Sequence, residues 1–153
     1  MIKKEKFLIA HRGNINGPDK ENENSYYSIN FALKMGFEVE IDLRFYNSKL
    51  YIGHDIAQNE LDFKKISNIS KVWFHCKDIE SIEIIRKKNI KKFFYHETDK
   101  IALTSNGYFW TYPGRKITNN SIIVMPEKAN YGKNDFHYCA GICSDFISRY
   151  KND

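Results

Sequence analysis

No run in this 153-residue chain approaches the roughly 20 consecutive apolar residues that a membrane-spanning helix requires, which excludes an integral helical membrane protein. The basic start Met1-Ile2-Lys3-Lys4-Glu5-Lys6 is followed only by Phe7-Leu8-Ile9-Ala10, too short for the apolar region of an export signal, so the expectation is a cytoplasmic protein. Cysteine is scarce: Cys76, Cys139 and Cys143 form neither an even framework nor a C-x-x-C pair, which excludes a disulfide scaffold and a paired-cysteine zinc module. Blocks of one charge are also absent. The 24 basic and 19 acidic side chains interleave to a net charge of +5, which argues for a weak preference for anionic ligands and against a nucleic-acid-binding arm. There is no internal repeat, low-complexity tract or linker, so residues 1–153 read as a single domain.

What the chain does have is a composition that folds. Hydrophobic residues make up 42% and aromatics 15%, enough for a sizeable core at this length. Residues 7–11 read as a strand, and Gly13, Gly17 and Pro18 follow as turn residues. Asn24 or Ser25 then caps a helix over 26–35 that stops at Gly36. From 37 to 45 the chain alternates strictly, with Phe37, Val39, Ile41, Leu43 and Phe45 on one face and Glu38, Glu40, Asp42 and Arg44 on the other. This order is a βαβ unit, hence a parallel sheet. Asn47-Ser48 turns the chain back through residues 50–52, returning His54 toward the end of the second strand. A strand at 72–77, a helix at 79–88 and a strand at 93–96 follow. Beyond them the helical pattern fades into short strand-like runs at 101–103, 108–112, 122–125 and 140–144.

Polar residues gather at the ends of the first strands. In a strand, residues i and i+2 share a face, which sets Glu40 and Asp42 about 6–7 Å apart along the backbone, close enough to share a divalent ion. Such a pair taken alone reads more often as a solvated face; His11, Arg12 and His54 near it point to chemistry.

These residues resemble the glycerophosphodiester phosphodiesterases, within the phospholipase C-like phosphodiesterase barrels. The resemblance rests on His11-Arg12-Gly13, Glu23-Asn24-Ser25, Glu40-Ile41-Asp42 and His54-Asp55, in that order, and on Gly141-Ile142-Cys143-Ser144-Asp145, which looks like the family's last barrel strand. Where the family places Glu-x-Lys, this chain has His75-Cys76-Lys77, keeping the lysine and replacing a metal carboxylate by a histidine. The resemblance implies an α/β fold, a compact TIM-type (β/α)8 barrel. At this length several outer helices are expected to be shortened or missing. It implies one divalent ion held by Glu40, Asp42 and His75. Mg, Ca or Mn is expected, with Zn a further candidate, since an imidazole ligand favours the softer ions.

Phosphodiester cleavage needs a neutralised phosphoryl oxygen, a base for the attacking hydroxyl and an acid for the leaving alcohol. Arg12, Lys77 and the ion suit the first task, and His11 and His54 the other two. The expected reaction is hydrolysis of glycerophosphodiesters to glycerol phosphate and an alcohol, on a small phosphodiester or lysophospholipid-type substrate. The alternatives are a lyase-type enzyme that stops at a cyclic phosphate, and a phospho-ligand-binding barrel without turnover. His96 and Glu127, each after a strand, are candidate substrate contacts as well as plain loop residues. Trp110, with Tyr112 on the same face, is a candidate substrate wall or aromatic core. His137, Cys139 and Cys143 match no zinc template.

Overall fold

The computed structural model describes residues 5–152. The basic stretch at residues 1–4 lies outside the described residues. The strands are β1 (Phe7–His11), β2 (Glu38–Tyr46), β3 (Lys49–Ile52), β4 (Asn59–Glu60), β5 (Val72–Cys76), β6 (Phe93–Tyr95), β7 (Ile101–Leu103), β8 (Phe109–Thr111), β9 (Ser121–Val124) and β10 (Gly141–Ser144). The α-helices are α1 (Tyr26–Lys34), α2 (Ile79–Lys87) and α3 (Lys133–Tyr138). Eight strands of one curled sheet run in the order β6-β5-β2-β1-β10-β9-β8-β7, parallel except for β7, and the antiparallel β3 and β4 branch from the far end of β2.

Local chemistry accounts for the main elements. Ser25 caps α1, its hydroxyl accepting from Ser28 N, and Gly36 follows the helix at φ +90°. Asp78 caps α2 by accepting from Ser81 N, and its other oxygen accepts from Phe45 N, tying the helix start to the end of β2. β1 pairs with β2 only as far as His11 opposite Glu40, which frees the far end of β2 for β3. Asn47 and Ser48, both at positive φ, make the tight hairpin turn.

The compact (β/α)8 barrel expected from the sequence, with several outer helices shortened or missing, is not what forms. Among the described residues there are three α-helices, β7 runs against its neighbour, and β6 and β7 are not paired as strands, leaving a curled half-barrel. The reason lies in the connections. A parallel crossover through a helix needs a dozen or more residues. The chain from β7 to β8 is instead a short turn through Asn106-Gly107, which forms a hairpin. Beyond β7, Ser105 N donates to Phe93 O at 2.8 Å, drawing the two edges together. No helix among the described residues is long and apolar enough to cross a membrane.

The alternation of side chains gives the sheet two different faces. Val39, Ile41, Leu43, Phe74 and Cys76 pack on the helix side with Ile29, Ala32 and Ile85. The inner face is filled by a smaller cluster of Ile9, Trp73, Phe94, Ala102, Trp110, Ile122, Val124 and Cys143. Those inner residues form the floor on which the polar site rests.

Candidate active site

Two residues beyond five of the inner apolar residues, at the C-terminal ends of their strands, the side chain turns polar. Ile9 is followed by His11, Trp73 by His75 and Lys77, Phe94 by His96, Trp110 by Tyr112, and Cys143 by Asp145. Glu38, Glu40 and Asp42 continue the same face on β2, with Glu40 in register with Trp73 and Asp42 with His75. The period of two thus gathers these groups at one mouth. His11, Arg12, Glu40, Asp42, His54, His75, Lys77, His96, Trp110 and Tyr112 line a single cavity of about 190 Å³.

The two central carboxylates are both buried, but their surroundings differ. Asp42 is held by Lys77 Nζ at 2.9 Å, Arg12 Nε at 3.1 Å and the Asn24 side-chain amide at 3.0 Å, with His75 Nδ1 3.2 Å away. Burial works against its charge, but the His75 hydrogen bond and the Lys77 and Arg12 cations prevail and hold its pKa well below the usual value. Among the described residues, Glu40 accepts only the Arg12 backbone N–H at 3.2 Å; His11 Nε2 and His75 Nδ1 stand off at 3.9 and 3.7 Å. Burial and the neighbouring charge of Asp42 push Glu40 up to about 7.

The histidines are set for different tasks. His11 Nδ1 lies 2.8 Å from Asp145 Oδ1, so the ring proton sits on that nitrogen and Nε2 presents its lone pair to the cavity. Burial would lower the pKa of His11, yet the Asp145 hydrogen bond and the charge of Glu40 outweigh it and raise the value above 6.5. His54 stands at the rim, 39% exposed, its Nδ1 2.7 Å from Asp55 Oδ1. His75 is buried, and burial and the Lys77 cation lower its pKa despite the Asp42 hydrogen bond. One face of its ring stacks on both Phe94, at 4.7 Å, and His96, at 4.4 Å, from the neighbouring β6 side. His96 accepts or donates a 2.7 Å hydrogen bond with the Tyr112 hydroxyl, and burial together with His75 and Lys77 depresses its pKa to about 4. It is a neutral group on the cavity wall.

Glu40, Asp42 and His75 place one ligand atom each within 4.8 Å of one another, so this buried group could hold a metal ion. The donor chemistry fits. Two carboxylate oxygens and one imidazole nitrogen suit a divalent cation, and Glu40 is a buried carboxylate with one weak partner, whose ionisation a cation would favour. Lys77 competes for the same Asp42 oxygen that His75 faces, so ion entry requires its ammonium to move aside.

Of the residues singled out from the sequence, Glu127 is the one placed elsewhere. Met125 takes a left-handed conformation at φ 47°, which carries the following short 3₁₀ turn (Pro126–Lys128) outward. Glu127 is exposed there and its Oε2 accepts from the Ser144 hydroxyl at 2.9 Å, a brace between that turn and β10. Trp110 is mostly core: it is 1% exposed, stacks on Phe94 at 4.3 Å and offers the cavity only part of its floor. Asp145 and Asn14 were missed as site residues. Counting two positions on from the apolar Cys143 would have set Asp145 on the inner face; nothing local marks Asn14.

No family model, curated protein or solved structure matches this chain.

Proposed function

We propose that the chain is a metal-dependent phosphodiesterase resembling the glycerophosphodiester phosphodiesterases, acting on a small phosphodiester or lysophospholipid-type substrate and releasing glycerol phosphate and an alcohol. The observation that carries the reading is the convergence on one cavity of a carboxylate-oriented histidine, a second histidine, two cations and a buried acid pair. Each corresponds to a requirement of phosphodiester cleavage.

Glu40, Asp42 and His75 would hold the divalent ion, Mg, Ca or Mn, or Zn given the imidazole donor. Bound there, such an ion supplies charge neutralisation at a phosphoryl oxygen. The Arg12 and Lys77 cations both lie against Asp42 and would clamp the remaining phosphate oxygens. His11 Nε2 takes the proton from the attacking hydroxyl, while Asp145 stabilises the imidazolium that forms. As the new P–O bond closes, the bond to the leaving alcohol breaks, and His54 at the rim gives that alcohol its proton. When the attacking hydroxyl is the substrate's own, a cyclic phosphate results; water opens it with the two histidines in exchanged roles.

The test is release of glycerol phosphate from a panel of glycerophosphodiesters by wild type, His11→Ala and His54→Ala, with and without chelator. Chelator-sensitive activity is expected, with each substitution lowering turnover roughly 10²- to 10⁴-fold. Inactivity with Mg, Ca, Mn and Zn alike would overturn the reading. Cyclic phosphate persisting in the phosphorus NMR spectrum would replace hydrolysis by the lyase reaction.

One observation favours a second reading, a phospho-ligand-binding protein without turnover: Arg12 and Lys77 already compensate Asp42 with no ion required. Phosphodiester binding that leaves the ligand intact under every metal would establish it.

A further inference from the structure

The turn after β1 carries His11 and Arg12 side by side, yet points them at different partners. Arg12 and Gly13 take successive positive φ values of 53° and 82°, and Asn14 N closes the turn on His11 O at 2.9 Å. Asn14 is 4% exposed, and its side-chain nitrogen lies 2.9 Å from Asp145 Oδ1 and 3.3 Å from Glu23 Oε2. Both neighbours are carboxylates, so the amide must turn its NH₂ toward them, and its two N–H bonds serve one each. Asp145 Oδ1 is also the atom that holds His11 Nδ1, while the other oxygen of Glu23 holds Arg12 Nη1 at 3.0 Å. An unbroken chain therefore runs from His11 through Asp145, Asn14 and Glu23 to Arg12.

We propose that Asn14 is a positioning residue that couples the orientation of the base His11 to that of the phosphate clamp Arg12. The role rests on the phosphodiesterase reading above. Two anionic groups share one amide, which separates their charges and holds each at a defined angle. If Asp145 turns away, the His11 proton no longer belongs to Nδ1 and the lone pair at Nε2 is lost for part of the time. If Glu23 turns away, the guanidinium loses the support that keeps Nε on Asp42. Because the same amide fixes both, a disturbance at either carboxylate reaches the other.

Two measurements test this. The first needs no substrate: the imidazole nitrogen NMR signals of His11 are followed in chelator-treated protein. The wild type is expected to show the proton on Nδ1. Glu23→Gln is expected to shift those signals when Asn14 is present, and to shift them much less in combination with Asn14→Ala. An unchanged His11 spectrum in Glu23→Gln, or an equal change whether or not Asn14 is replaced, overturns the coupling. The second is a kinetic cycle of Asp145→Asn, Glu23→Gln and the double variant, all retaining Asn14. The combined loss in kcat/KM should fall well short of the product of the single losses, and Asn14→Ala alone should lower kcat about 10- to 100-fold. Losses that multiply independently overturn the proposal, and this arm stands even if Asn14→Ala does not fold. Should no diester be turned over, the phosphodiesterase reading fails while the NMR comparison still decides the coupling.

Discussion

Glu40 is where the energetics of the site are most exposed to experiment. Its carboxylate is buried beside Asp42, which takes the Lys77 ammonium and the Arg12 guanidinium Nε for itself. A buried charge with so little compensation is costly, and the group answers by keeping its proton up to about pH 7 where an ordinary glutamate lets go near 4.5. The sign follows. Between those two values the folded protein holds a proton that the unfolded chain has released, so the contribution of Glu40 to stability declines as pH rises through the window. Glu40→Gln removes that decline. In chelator, the variant is expected to gain stability relative to wild type steadily from pH 4.5 to about 7 and to hold the gain above it. Urea unfolding at a series of pH values measures the difference; a gap that does not change with pH would contradict the account. The same isolation would favour a cation beside Glu40, in the group it forms with Asp42 and His75 that could hold a metal ion.

At the scale of elements, the turn from β1 into the loop before α1 does the most for the site. Arg12 adopts a left-handed conformation that residues with side chains avoid, and it is held there by Asn24 N donating to Arg12 O at 2.9 Å and by its own N–H on Glu40. Gly13 follows at φ +82°, where an added Cβ would lie 2.6 Å from Ser28 Oγ and 2.9 Å from the Ser28 carbonyl carbon. Gly36, at φ +90°, has open space around the same position. The two therefore separate backbone strain from steric conflict. Gly36→Ala is expected to cost about 1 kcal/mol. Gly13→Ala should cost about 2–4 kcal/mol, because α1 must shift as well as the turn. Chemical denaturation compares them directly, and equal losses would show that the turn is not packed as tightly against α1 as the geometry requires. The ends of α1 were legible, with Asn24 or Ser25 expected at its start, where Ser25 caps it, and Gly36 at its stop; the Asp78 cap of α2 was not read from the sequence. The short α3 was not legible, since its boundaries carry no side-chain cap at Gly132 and its six residues give too few turns for a periodic signal.

For the molecule as a whole, the inner apolar cluster sets both the curl of the sheet and the height of the site. Trp110 touches both, packing against Trp73 and Phe94 below and bordering the cavity above. Trp110→Ala is expected to lose about 3–5 kcal/mol, as large-to-small changes in a packed core do. Leu103→Ala, at a residue 66% exposed on the edge strand, should stay within about 0.5 kcal/mol of wild type. Denaturation midpoints for the pair check this; a Trp110→Ala protein as stable as wild type would mean that the inner cluster is not a core. The expected (β/α)8 barrel, even with several outer helices shortened or missing, failed at this scale. Residues 93–124 carry strands at intervals too short for crossover helices, so the second half closes as a hairpin and bare parallel strands.

Local rules were sufficient for much of this protein. Strict alternation in β2 put Glu40 and Asp42 on one face and turn residues returned His54 toward the strand ends, because strand and turn geometry depend on nearest neighbours alone, whereas His75 and Lys77 were singled out by the family resemblance and reach Asp42 only through the pairing of β5 with β2. Tertiary structure decided the rest. Asp145 reaches His11 across 134 positions of sequence, and Asn14 joins it to Glu23 only once β10 lies beside β1. Glu127 looked like a site residue until the left-handed Met125 turned it outward. The short connections of residues 93–124 left no room for crossover helices, but how the two edges of the curled sheet met was a matter of long-range pairing.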